Sequence, residues 1–112
     1  MLYALIAASL LFSTTALWLW IIPALIGQVF LRLYLLAEHG HCPAVANMLE
    51  NTRTTFTTRA IRWLAWNMPY HTEHHVWPNV PFHQLPRLHE DMRAHLGETA
   101  AGYVAFNRAY LA

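Results

Sequence analysis

The chain has 112 residues, of which 56% are apolar and only 13 are charged: seven Arg, no Lys, and six Asp or Glu. A net charge of +1 excludes a nucleic-acid binder, which needs a basic excess, and the apolar share excludes a disordered tail. The single Cys, Cys42, excludes an intramolecular disulfide framework, while the eight His outnumber either sign of charge. Residues 1–31 carry no charge at all. The length admits one domain at most, and a core drawn from the remaining roughly 80 residues would be marginal alone.

From Met1 to Ala37 the strongly polar side chains are Ser13, Thr14, Thr15, Gln28 and Arg32. As one helix this stretch would measure about 55 Å against a hydrocarbon core of about 30 Å, so a single straight span does not account for it. Ser13-Thr14-Thr15 is expected as a turn between two transmembrane segments, about 1–12 and 16–37, with the short first segment reading as the end of a span. Pro23 falls inside the second segment, where a kink is tolerated because neighbouring groups re-satisfy the freed carbonyl. Trp18 and Trp20 suit one interface, Tyr34 and Arg32 the other. Arg32, Arg53, Arg59 and Arg62 favour the cytoplasmic side for the segment after the helix. A secretory signal peptide is the competing reading; it lacks a basic n-region, and the apolar pattern runs past any cleavage site.

Residues 38–112 form the polar part. Gly40 and Pro43 end the membrane helix, and the Thr-dense stretch Asn51 to Thr58 favours extended or turn structure. Helical patterns recur at Ala60 to Asn67, at the His-rich segment from His71, and from about Phe82 to Leu96, where Pro86 is acceptable in a first turn. Glu98 to Ala112, with Tyr103, Phe106 and Tyr110 at helical spacing, is expected as a peripheral amphipathic helix. The fold expected is therefore all-α: membrane helices followed by a cytoplasmic helical cap.

His71, His74 and His75 are the strongest chemical signal. On a helix, positions i, i+3 and i+4 fall within an arc of about 100°, so three imidazoles face one way. Neutral imidazole, with a free pKa near 6.5, binds metal without a large deprotonation cost. A His-rich solvated face is the bland alternative. His39 is the natural fourth donor, beside Glu38 at the helix end, although a snorkelling surface pair would look the same. His41, about 200° further round a helix, cannot share a metal with His39 while both are helical. Cys42 is read as a buried, inert thiol and His83, His89 and His95 as surface or interfacial. Glu38 and Glu73 each adjoin a candidate ligand, where a carboxylate can fix the tautomer of a ligating His or simply be solvated.

The run Glu38-His39, Asn51-Thr52-Arg53-Thr54, Trp66-Asn67-Met68-Pro69-Tyr70-His71-Thr72-Glu73-His74-His75 and Pro78-Asn79-Val80-Pro81-Phe82-His83-Gln84-Leu85-Pro86-Arg87-Leu88-His89 resembles the C-terminal part of the membrane fatty acid desaturases, the histidine-box di-iron family. The resemblance spans about residues 20–96. It implies that His71, His74 and His75 are the third histidine box and that His39 is the extra His at the end of the last membrane helix. It also implies a di-iron cofactor, O2, an acyl-lipid substrate, an electron donor of ferredoxin or cytochrome type, and a membrane setting. The family carries two earlier histidine boxes, whereas no His precedes His39 here. Two irons need about eight to ten donors, so the chain alone is expected to be incomplete and inactive.

Removing hydrogens from an unactivated acyl chain is beyond side-chain acids and bases and requires a redox metal with O2. Trp63, Trp66, Met68 and Trp77 are candidates for a substrate tunnel wall or, for the Trp residues, for interfacial anchoring. The rivals are a related membrane hydroxylase or ketolase acting on carotenoids or alkanes, and a non-catalytic metal-binding membrane fragment.

Overall fold

The computed structural model describes residues 1–112. The chain divides into two compact units, Met1–Arg32 and Leu33–Ala112. In the first, α1 (Leu2–Ser9) is followed by turns and then by a π-helical stretch, Leu17–Ile21, that continues into α2 (Ile22–His39). At eight residues α1 measures about 12 Å, and it stops at Ser9, short of the residue 12 expected for the end of the first segment. Ser13 Oγ accepts from the Thr15 backbone N–H at 3.2 Å and lies 2.7 Å from Thr15 Oγ1, which makes the expected Ser-Thr-Thr turn. The π stretch lies just before Pro23, the residue that removes a backbone donor from the helix. Wider hydrogen-bonded turns are one way to accommodate such a break. Leu17–His39 is the one helix long and apolar enough to cross a membrane, and its large side chains such as Leu19 and Phe30 are exposed, as lipid contact demands.

The second unit begins with the last turns of α2 and is mostly helical. It contains α3 (Met48–Asn51), α4 (Arg59–Leu64), α5 (His71–Val76), a 3₁₀ turn at Phe82–Gln84 leading into α6 (Leu85–Met92), and α7 (Tyr103–Leu111). It is not all-α, because β1 (Arg53–Thr55) pairs in parallel with β2 (Glu98–Ala100), Arg53 opposite Glu98 and Thr55 opposite Ala100. The Thr-dense segment is extended as expected. The tail, expected as helix from Glu98, starts its helix only at Tyr103, since residues 98–100 give their backbone groups to β1. The helix expected to reach Leu96 ends at Met92.

Local chemistry sets most of these boundaries. Asn47 caps α3 by accepting from Leu49 N–H at 3.2 Å, and Thr58 caps α4 by accepting from Ile61 N–H at 3.3 Å. Pro86 occupies the first turn of α6, where its missing N–H costs nothing. Gly40 ends α2 because of a close approach: a Cβ there would stand 2.4 Å from Leu36 O and 3.3 Å from the Phe106 ring. Between α4 and α5 the chain reverses through Trp66 and Asn67, both left-handed at φ 53 and 57, a conformation that costs energy in residues other than glycine. The turn is held by Asn67 N–H donating to Arg62 O at 2.7 Å, by Asn67 Nδ2 donating to Phe82 O at 3.2 Å, and by Trp66 stacked on Phe82.

The centre of this unit is unusually polar. Ala37, Pro69, Tyr70, Leu85 and Met92 are its buried apolar residues, yet Glu38, Arg53, Thr54, His71, Glu73 and His89 are also buried. Charged groups are rarely buried unless paired. A small unit that spends its interior on them is organised around chemistry more than around packing.

Candidate metal centre

Two helices bring the site together. The C-terminal end of α2 presents His39, and one face of α5 presents His71 and His75. His71 Nε2 lies 2.8 Å from His39 Nε2 and 3.0 Å from His75 Nε2, and ligand atoms of all three lie within 4.8 Å of one another. A single N–H can bridge only one such pair, so three converging imidazole nitrogens are best satisfied by a shared cation. These separations are short enough for the three rings to share one ion. Imidazole donors suit Zn, Cu, Fe or Ni. The residues present therefore fit a metal ion held through three ring nitrogens.

Burial, reinforced by the neighbouring His75, His39 and His74, holds the His71 imidazole down at about 3. Burial together with His39 and His74 also lowers His75. Both shifts favour the neutral ring, whose lone pair is the metal donor. His71 Nδ1 faces the Glu38 carboxylate, with Oε2 3.4 Å away, longer than a formed hydrogen bond. The other Glu38 oxygen accepts from the Tyr103 hydroxyl at 3.3 Å. Burial and the adjacent Tyr34 push the Tyr103 phenol upward, so it keeps the proton it donates. His71 Nδ1 is thus buried without a hydrogen-bond partner, with the Glu38 side chain behind it.

His74 occupies the same helix but is not one of the three converging rings. Its ring centroid is 5.9 Å from that of His75, and its Nδ1 is buried without a partner. Glu73 faces away from all three rings: Oε1 meets His89 Nδ1 at 2.5 Å, and Oε2 accepts from the Thr54 hydroxyl at 2.5 Å. His89 is therefore not the surface residue expected from its spacing. It is buried on α6 against Glu73, Tyr70 and Phe56. His41 leaves the helix at φ 60, with its ring 4.4 Å from that of Tyr110, while His83 and His95 are exposed.

A cavity of about 390 Å³ opens beside His39 and His75 and is lined also by Cys42, Pro43, Ala44, Met48, Asn51 and Thr52. Cys42 is half-buried rather than enclosed as expected. Trp63, Trp66, Met68 and Trp77 do not line this cavity. Trp63, Trp66 and Trp77 are exposed, and Trp63 borders a separate groove with Arg59 and Arg62.

Sequence reasoning missed His89, Arg53 and Tyr103 as members of this neighbourhood. Arg53 and His89 lie in the stretches that carry the family resemblance, but a role for either depends on pairing across the fold that spacing does not reveal. Among known families, the sequence model described as Fatty acid desaturase matches residues 1–107. No curated protein and no solved structure matches the chain.

Proposed function

Because the chain belongs to the fatty acid desaturase family, we propose that His39, His71, His74 and His75 supply part of the di-iron centre of an O2-dependent membrane desaturase acting on an acyl lipid. The observation that carries this is the convergence of His39, His71 and His75 Nε2 from two helices. When bound, the iron pair supplies the oxidising power by which an acyl –CH2–CH2– unit, O2, two electrons and two protons become –CH=CH– and two waters. The chain's own residues hold nitrogen donors in place and keep His71 neutral, with Glu38 behind its ring. In this proposal His74, next to the converging rings, serves the second ion, and the remaining donors come from histidine boxes outside these 112 residues. Electrons arrive from a donor of ferredoxin or cytochrome type.

The test is product analysis. Membranes carrying the chain, supplied with iron, O2, a reductant and labelled acyl lipid, are expected to give no turnover, because the donor count is too low. Turnover by this chain alone refutes the incompleteness. When upstream histidine boxes are fused in frame, a new C=C supports desaturation, an oxygenated product points to a hydroxylase or ketolase, and no product favours a non-catalytic metal-binding fragment.

We further propose a multi-pass membrane protein whose residues 38–112 lie on the cytoplasmic side, supported by Arg53, Arg59 and Arg62 after the apolar helix, with the exposed Trp63, Trp66 and Trp77 serving as interfacial anchors. Cys42, the only thiol and only half-buried, reports the side. Burial raises its pKa, so labelling with a membrane-impermeant maleimide is run on the alkaline side. Modification is expected in inside-out vesicles and not in right-side-out vesicles, and the reverse pattern refutes the orientation.

A further inference from the structure

The segment Asn51 to Thr55 has no role in the ligand set, yet Thr52, Arg53, Thr54 and Thr55 are all buried, none more than 4% exposed. A buried strand is ordinarily built from Val and Ile. Here it is built from hydroxyls and a guanidinium: Thr55 Oγ1 has no partner and Thr52 Oγ1 donates to Met48 O of α3 at 2.6 Å, while Arg53 and Thr54 reach the two helices that carry the converging histidines.

Successive side chains of a strand point to opposite faces, and the partners divide by that parity. On one face, Thr54 Oγ1 donates to Glu73 Oε2 at 2.5 Å, and Thr52 Oγ1 lies 3.2 Å from Thr72 Oγ1. Both partners are on α5, between His71 and His74. On the other face, Arg53 Nη1 donates to Ala37 O at 3.0 Å and to Gly40 O at 2.7 Å, the carbonyls on either side of His39. Those carbonyls sit at the negative end of α2, where the helix itself offers few donors. The guanidinium is completed by Glu98 on β2, 3.5 Å from Nη2, and by the Phe106 ring of α7, 4.5 Å away. The backbone contributes as well, since Thr55 N–H donates to Pro69 O at 2.9 Å just before α5.

We infer that Arg53 and Thr54 are positioning residues: β1 is a two-sided strut that sets the spacing between the His39 end of α2 and the His71 and His75 face of α5, and through it the affinity and geometry of the metal site. Hydrophobic packing could hold the same elements together, but it is non-directional. Hydrogen bonds from a fixed guanidinium fork and from threonine hydroxyls specify direction and distance, and metal–ligand bonds tolerate only about 0.2 Å. This rests on the proposal that the converging His residues bind metal.

The test titrates the full chain in detergent micelles with Co2+ alone, following visible absorption for affinity and ligand field, with thermal unfolding of the metal-free protein alongside. Thr54→Val removes the hydroxyl at nearly constant volume, and Arg53→Lys keeps the charge but not the fork. Each is expected to weaken Co2+ binding by about 10–100-fold, the range for outer-shell partners of a metal site, and to change the absorption bands, while Thr54→Ser restores both. Wild-type affinity and spectrum in Thr54→Val and Arg53→Lys, even with lower stability, overturn the strut. If Thr54→Val fails to fold, Arg53→Lys decides by the same criterion. A wild-type chain that binds no Co2+ overturns instead the metal assignment on which the strut depends.

Discussion

His71→Ala is expected to weaken Co2+ binding by the full chain more than any other single change, by more than about 100-fold, the upper end of what outer-shell substitutions cost. His71 is the middle member of the set, with its Nε2 within 3.0 Å of both neighbours. Its loss leaves His39 and His75 without a common partner. Glu38→Gln, which keeps the shape but not the charge behind Nδ1, is expected to cost less, within about 10–100-fold. His83→Ala, exposed and remote from the cluster, is expected to change nothing. Isothermal titration of the three variants against wild type checks the order. An affinity in His71→Ala equal to wild type would remove His71 from the ligand set.

The largest effect on stability is expected at Glu73. Its side chain is fully buried and its two oxygens serve different elements, one meeting His89 on α6 and the other Thr54 on β1. Glu73→Ala strands both partners in the interior and opens a cavity between them. Removing one member of a buried pair costs about 3–5 kcal/mol, which in a unit of this size lowers the unfolding midpoint by more than about 10 °C. Glu90→Ala, whose carboxylate is solvent-exposed and 3.5 Å from an exposed Arg93, is expected to leave the midpoint unchanged. A Glu73→Ala midpoint close to wild type, measured by circular dichroism in micelles, would show that the contact with His89 contributes little.

What could be read before folding, and what could not, divides along the range of the interactions. The long apolar helix, the Ser13 to Thr15 turn and the extended Thr-rich stretch arise from local composition, and the structure carries all three. His71 and His75 share a face because a helix returns after about 3.6 residues, so their meeting was implicit in the spacing. The strand at Glu98–Ala100 was not. It exists because β1 offers unpaired backbone groups far away in sequence, and that pairing overrode the helical pattern of the tail. The same applies to His89. Rotation angles along one helix show that His89 and His95 diverge, but they do not show that Glu73, from another helix, covers one of them. Glu73 was read as a neighbour of its own ligands, whereas α5 turns it to the opposite side of the box.

The parallel pairing of β1 with β2 also imposes an order in time. Parallel strands need a long crossover, and non-local pairs form slowly because their loop must close first. Helices α2 and α5 are local, so Glu98 and Phe106 are expected to complete the surroundings of Arg53 only after those helices have formed. Until that pairing closes, the guanidinium that reaches the carbonyls around His39 lacks its Glu98 and Phe106 partners. The closing of β2 onto β1 is therefore expected to set when the surroundings of Arg53 become rigid.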